Sequence, residues 1–101
     1  MKKIHFNEIY NFHKAVLSKA DLDEHTCESV SFGLCETSLR GVDSHGIRLL
    51  PHYTQSALKG RKNPRPEYKF SQIFPAFGHL DADNTFGHAA GMKAIDLACL
   101  L

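Results

Sequence analysis

The sequence predicts helices and strands in one chain: three helices, then two short strands, then a further helix, an α+β arrangement over 101 residues. Apolar residues recur at helical spacing in three separate runs before residue 60. A Pro-containing stretch follows, and loosely alternating aromatics then lead into a fourth helical run.

The first run places Phe6, Ile9, Phe12, Val16, Leu17 and Ala20 on one helical face, with Glu8, Asn11, Lys14 and Ser18 opposite. After the connection Ala20-Asp21-Leu22, the Asp23 carboxylate can accept the unpaired first-turn N–H groups of a second helix over about Glu24 to Leu39. Cys27, Val30, Leu34 and Cys35 form its apolar stripe. Gly33 lies inside it, where glycine costs about 1 kcal/mol relative to alanine and often marks a close helix approach. So short a link packs the two helices antiparallel.

Arg40-Gly41-Val42-Asp43-Ser44-His45-Gly46 breaks the helical pattern and reads as a turn or loop. The third helix carries Leu49, Leu50, Tyr53 and Ala57 on one side and Arg48, His52, Gln55 and Lys59 on the other. Pro51 fits only its first turn, and Gly60 is a natural stop. Residues 61–67 read as a Pro-rich linker, Tyr68 to Phe74 as a strand ended by Pro75, and Ala76 to Leu80 as a second short strand. Asp81-Ala82-Asp83-Asn84-Thr85 is turn chemistry. The last helix begins near Phe86 or Gly87 with Phe86, Ala90, Ala94, Leu97 and Leu101 along one face. It ends in Ala98-Cys99-Leu100-Leu101 without a stop signal and reads as truncated within a structural element. The expected division is a helical segment over 1–62 and the start of an α/β domain over 63–101.

Lys and Arg total 12 against 11 Asp and Glu, a formal charge of +1, and 43% of residues are hydrophobic. Such a chain can build a core, and it lacks the clustered basic excess that supplies affinity for nucleic acid. The densest basic stretch, Lys59 to Arg65, reads as a solvated loop. No apolar run approaches the roughly 18 residues that span a bilayer. The three cysteines, Cys27, Cys35 and Cys99, form no C-x-x-C and are expected as reduced core thiols of a cytoplasmic protein.

No G-x-G-x-x-G and no P-loop pattern occurs. Asp81-x-Asp83 resembles the start of a calcium loop, but Phe86 and Met92 stand where that loop needs Gly and Glu. None of His5, His13, His25, His79 and His88 sits in a metal-ligand pattern, so surface or packing roles are expected for them. His45 differs. It lies between the Ser44 hydroxyl and Gly46, just before a helix. Histidine exchanges protons near neutral pH, a glycine leaves room for substrate, and a helix N-terminus favours an anion such as a carboxylate. Chemistry alone also allows an ordinary loop histidine.

Leu39-Arg40-Gly41-Val42-Asp43-Ser44-His45-Gly46-Ile47-Arg48-Leu49-Leu50-Pro51-His52-Tyr53 resembles the signature of the malate/L-lactate dehydrogenase family, which includes ureidoglycolate dehydrogenase and diketogulonate reductase. Leu58-Lys59-Gly60 with its Pro-containing loop, and Leu80-Asp81-Ala82-Asp83-Asn84 opening a helix, extend the resemblance over nearly the whole chain. The resemblance implies a non-Rossmann α/β fold, NAD or NADP as cofactor, a homodimer, and hydride transfer between nicotinamide and a 2-hydroxyacid or 2-oxoacid. It implies His45 as the acid/base, Ser44 as the group that orients ring or substrate, and Arg48 as the residue that binds the substrate carboxylate. Many members carry that arginine four residues after the histidine, where this chain has Leu49. Ala82 and Thr85 replace glycines common at the second motif. Family members are several-fold longer. The alternative expectation is a truncated remnant or assembly module without activity of its own. A small helical DNA-binding module is disfavoured by the long link between the second and third helices and by the near-neutral charge.

Overall fold

The computed structural model describes residues 3–101. Its order is α1 (Phe6–Lys19), α2 (Glu24–Leu39), two short 3₁₀ turns (Asp43–His45 and Ile47–Leu49), α3 (Leu50–Leu58), β1 (Lys69–Phe74), β2 (Phe77–Asp81) and α4 (Gly87–Ala98). The mixed helix-and-strand expectation is met.

The Asp23 carboxylate accepts from Thr26 N–H at 2.9 Å and starts α2 as its sequence position requires. Asp21 turns the chain with φ of 70°, and α1 then packs antiparallel to α2. Phe6 faces Phe32 at 6.4 Å between ring centroids, Lys14 lies 3.8 Å from Glu28, and Cys27 Sγ donates to the Lys14 carbonyl at 3.3 Å.

The core joins Leu17, Ala20 and Leu22 to Cys27, Val30 and Leu34, and to Leu50, Ala57 and Phe86. The whole expected stripe of α2 is buried, Cys35 included. On α1 the face is turned by one position. Phe12 is 61% exposed, whereas His13, one residue and about 100° further round, is 3% exposed. Its Nδ1 donates to the Ile9 carbonyl at 2.9 Å, which lets a polar ring enter the core, and its Nε2 finds no partner among the described residues. Cys99 is another correction. It is exposed at the end of α4, not in the core.

Gly33 is where α4 approaches α2. A Cβ there would overlap His88 Cδ2, and the His88 ring also meets Tyr53 of α3, edge-on at 5.6 Å between centroids. Tyr53 also meets Phe86 edge-on at 5.7 Å. α4 therefore enters the core through its first turn, by Phe86 and Ala89, with Ala94 of the expected face left exposed.

The 61–67 stretch is pinned along its length. The Asp23 N–H donates to the Pro64 carbonyl at 2.9 Å, and the Arg65 guanidinium pairs with Asp21 at 3.0 Å. From the other side, the Asp83 carboxylate accepts from Asn63 Nδ2 at 2.8 Å and Glu67 N–H at 2.9 Å, while Thr85 Oγ1 donates to the Asn63 carbonyl at 2.8 Å. Asp83 and Asn84 adopt φ of 56° and 58°, a conformation that Asp and Asn tolerate better than most residues.

β1 and β2 form an antiparallel two-stranded hairpin, paired Lys69 to Asp81 through Phe74 to Phe77 with an irregularity between Gln72 and Phe74. Every residue of β1 is exposed. Phe74, Phe77, Ile73 and, on α4, Ile95 leave more than half their surface open. The Cα radius of gyration is 14.8 Å, above the roughly 13 Å of a compact domain this long. The shape agrees with this exposure, since the helices hold the core while the hairpin stands out from it.

Candidate active site

α2 ends in a helix-stop geometry that aims the following turn. Gly41 takes φ of 84°, which glycine adopts without a Cβ penalty. Its N–H donates to the Ser38 carbonyl at 3.0 Å, and the Val42 N–H donates to the Thr37 carbonyl at 3.1 Å. These are the two bonds of a Schellman motif, and they satisfy carbonyls the helix leaves open. The chain then curls through the Asp43–His45 turn, closed by His45 N–H donating to the Val42 carbonyl at 3.2 Å.

Ser44 and His45 stand exposed on this turn, with Ser44 Oγ 2.7 Å from His45 Nδ1. Bonding at Nδ1 fixes the ring and leaves Nε2 for another group. If Nδ1–H donates to the hydroxyl, Nε2 carries a lone pair; if the hydroxyl donates, Nε2 carries the proton. The pair therefore has the two forms that a proton acceptor and a proton donor need.

Arg48 occupies the next 3₁₀ turn and is exposed. Among the described residues it has neither a hydrogen-bond partner nor an ion-pair partner, so the structure joins Ser44 to His45 but does not tie Arg48 to them. The helix N-terminus expected directly after His45 is also displaced. The Ile47–Leu49 turn intervenes, the Leu49 and Leu50 N–H groups donate to the Gly46 and Ile47 carbonyls, and Pro51 has no N–H to offer.

Sequence reading did not single out Ser38. Its hydroxyl accepts from Ile47 N–H at 2.8 Å, and Gly46 is buried against it. No periodicity marks Ser38, because the contact spans nine positions across a turn. Beside it an open, mostly apolar groove of about 660 Å³ runs along Ile4, Phe6, Ile9, Leu39 and Ile47, with Lys3 and Asp43 as its charges. Neither this groove nor the one between hairpin and α4 is lined by a glycine-rich turn.

The model of the malate/L-lactate dehydrogenase family matches residues 4–101. The chain belongs to this family. It is 35% identical over 92 residues to a malate dehydrogenase of Pyrococcus abyssi, covering 91% of this chain and 25% of that protein. To an L-sulfolactate dehydrogenase of Methanocaldococcus jannaschii it is 32% identical over 83 residues, covering 82% and 24%. The solved malate dehydrogenase of Pyrococcus horikoshii superposes with a TM-score of 0.90 at 27% identity, over 96% of this chain and 28% of that one. The chain thus spans about a quarter of the length of the curated relatives it matches. The helices, hairpin and α4 reproduce that part of the family fold. Among the described residues no helix is long and apolar enough to cross a membrane.

Proposed function

We propose that this chain supplies the acid/base part of a 2-hydroxyacid dehydrogenase, with His45 exchanging the substrate hydroxyl proton. The observation that carries the reading is the 2.7 Å contact between Ser44 Oγ and His45 Nδ1 on an exposed turn. Ser44 orients the ring. In the oxidation direction His45 Nε2 takes the proton of the C–OH group, and in reduction it returns it to the oxyanion. Arg48, a cation without a protein partner among the described residues, is assigned the substrate carboxylate.

NAD or NADP is the hydride acceptor in this reading. The chemistry assigned to the 101 residues is proton transfer and substrate orientation alone. The division into a catalytic helical segment over 1–62 and the opening of an α/β domain over 63–101, a homodimeric assembly and a cytoplasmic setting belong to the same proposal. Cys27 and Cys35 are buried free thiols whose pKa burial pushes up, which keeps them unreactive.

A second reading, a module without activity of its own, is favoured by the hairpin, which leaves every residue of β1 exposed. The two readings part in one assay. Joined to the remaining part of the family fold, the segment should support nicotinamide reduction with a 2-hydroxyacid such as malate or sulfolactate. Arg48→Ala should then raise KM for the acid with a smaller change in kcat. Absence of turnover with any 2-hydroxyacid in a folded protein favours the module.

A further inference from the structure

We propose that Ser38 is the positioning residue of this site, clamping both ends of the turn that carries Ser44 and His45. Its functional meaning rests on the reading of His45 given above; its geometry does not. At the entry to the turn the Ser38 carbonyl accepts from Gly41 N–H at 3.0 Å. At the exit its hydroxyl accepts from Ile47 N–H at 2.8 Å. One residue on the last turn of α2 thereby fixes the chain on either side of residues 42–46.

Gly46 completes the clamp. It is buried, and a Cβ at that position would overlap Ser38 Oγ and lie 3.0 Å from both Ser38 Cβ and Ser38 N. Glycine is required there for space. The turn closes on α2 only because a glycine meets a short side chain there, and that side chain also accepts a bond.

The need for a clamp follows from what surrounds the pair. Ser44 and His45 are exposed, and their side chains bond only each other among the described residues. Backbone placement therefore decides where the ring sits. A 3₁₀ turn of three residues has poor hydrogen-bond geometry and holds little by itself. Ile47 opens the second 3₁₀ turn, where N–H groups lack a helical partner, and Ser38 supplies one. Proton transfer in turn demands that the ring lie within hydrogen-bond reach of the substrate, so backbone drift reaches the chemistry directly.

The test uses the 101-residue chain and its Ser38→Ala and Ser38→Thr variants, with amide exchange and the ¹⁵N shifts of the His45 ring as readouts. In Ser38→Ala, exchange at Ile47 should accelerate roughly three- to tenfold, the worth of one hydrogen bond. The His45 nitrogen shifts should move toward those of an unstructured histidine peptide. Val30 and Leu34 amides should keep their protection, which shows the fold intact. Ser38→Thr, which keeps a hydroxyl on the same carbon, should restore both signals. Unchanged Ile47 exchange and His45 shifts in folded Ser38→Ala protein overturn the proposal, as does a folded Ser38→Thr as loose as the alanine variant. Shifted His45 nitrogens with unchanged turnover, once the segment is joined to the rest of the family fold, instead support the clamp and remove His45 from catalysis.

Discussion

Acidification provides a quantitative check on the packing. His13 and His88 are both held below the ordinary histidine pKa of 6.5, in each case because burial disfavours the charged ring; at His13 the bond to the Ile9 carbonyl opposes this in part. The unfolded chain thus binds protons more readily than the folded one. Stability is complete above that pKa and falls as the pH drops through it. At one pH unit below it, each histidine that stays neutral in the fold costs at most about 1.4 kcal/mol, and the pair at most about 3 kcal/mol. For a domain of this size 1 kcal/mol corresponds to roughly 4–8 °C, so Tm by circular dichroism should fall between about pH 7.5 and 5.5, with that bound as the ceiling of the fall. His13→Leu should remove the His13 share of that loss and leave the His88 share. It should also add on the order of 1 kcal/mol at pH 7.5, because the buried Nε2 without a partner disappears while the Ile9 carbonyl keeps its helical neighbours. A His13→Leu protein with the same acid-induced fall in Tm as the parent would refute this account of His13.

Gly33→Ala should destabilise by about 1 kcal/mol despite alanine's better helix propensity, since overpacking against the His88 ring costs roughly 1–3 kcal/mol and the propensity gain is about 1. In a His88→Ala background the same change should turn stabilising, and denaturant titration of the four proteins reads the reversal. Asp83→Ala should cost about 2 kcal/mol, through a non-glycine φ of 56° without Asp's tolerance for it and through the loss of the bonds from Asn63 and Glu67. Asp83→Gly, which keeps the backbone conformation, should lose less by the same titration.

Much of the fold was legible because its signals are local. Asp23, Pro51 and Gly60 act within one helical turn of their own positions and sit where the pattern placed them. The stripe of α2 was readable because its apolar residues are its buried ones. α1 misled where it did because Phe12 is larger and more apolar than His13, and only the bond to Ile9 admits the histidine to the core. The 61–67 stretch looked like a free linker because the groups that pin it, Asp21, Asp23 and Asp83, are distant in sequence. At the site, the Ser-His-Gly motif was visible and the contact between its first two residues follows from adjacency. The support from Ser38 was not visible, because a nine-residue separation across a turn leaves no mark in periodicity. The absence of a helix N-terminus beside His45 came from hydrogen bonding of Leu49 and Leu50 that composition does not encode.

The central claim, that His45 moves the proton, is tested most directly by measuring kcat and Tm together for His45→Ala in a polypeptide that carries this segment within the complete family fold. His45 is exposed, and among the described residues its one side-chain partner is the Ser44 hydroxyl, which is exposed as well. Its removal should therefore shift Tm little. A positioned acid/base contributes roughly 10²–10⁴-fold, about 3–5 kcal/mol of barrier, and kcat should fall by that factor. A folded variant with unchanged kcat, or one whose activity falls only in step with its Tm, would contradict the assignment.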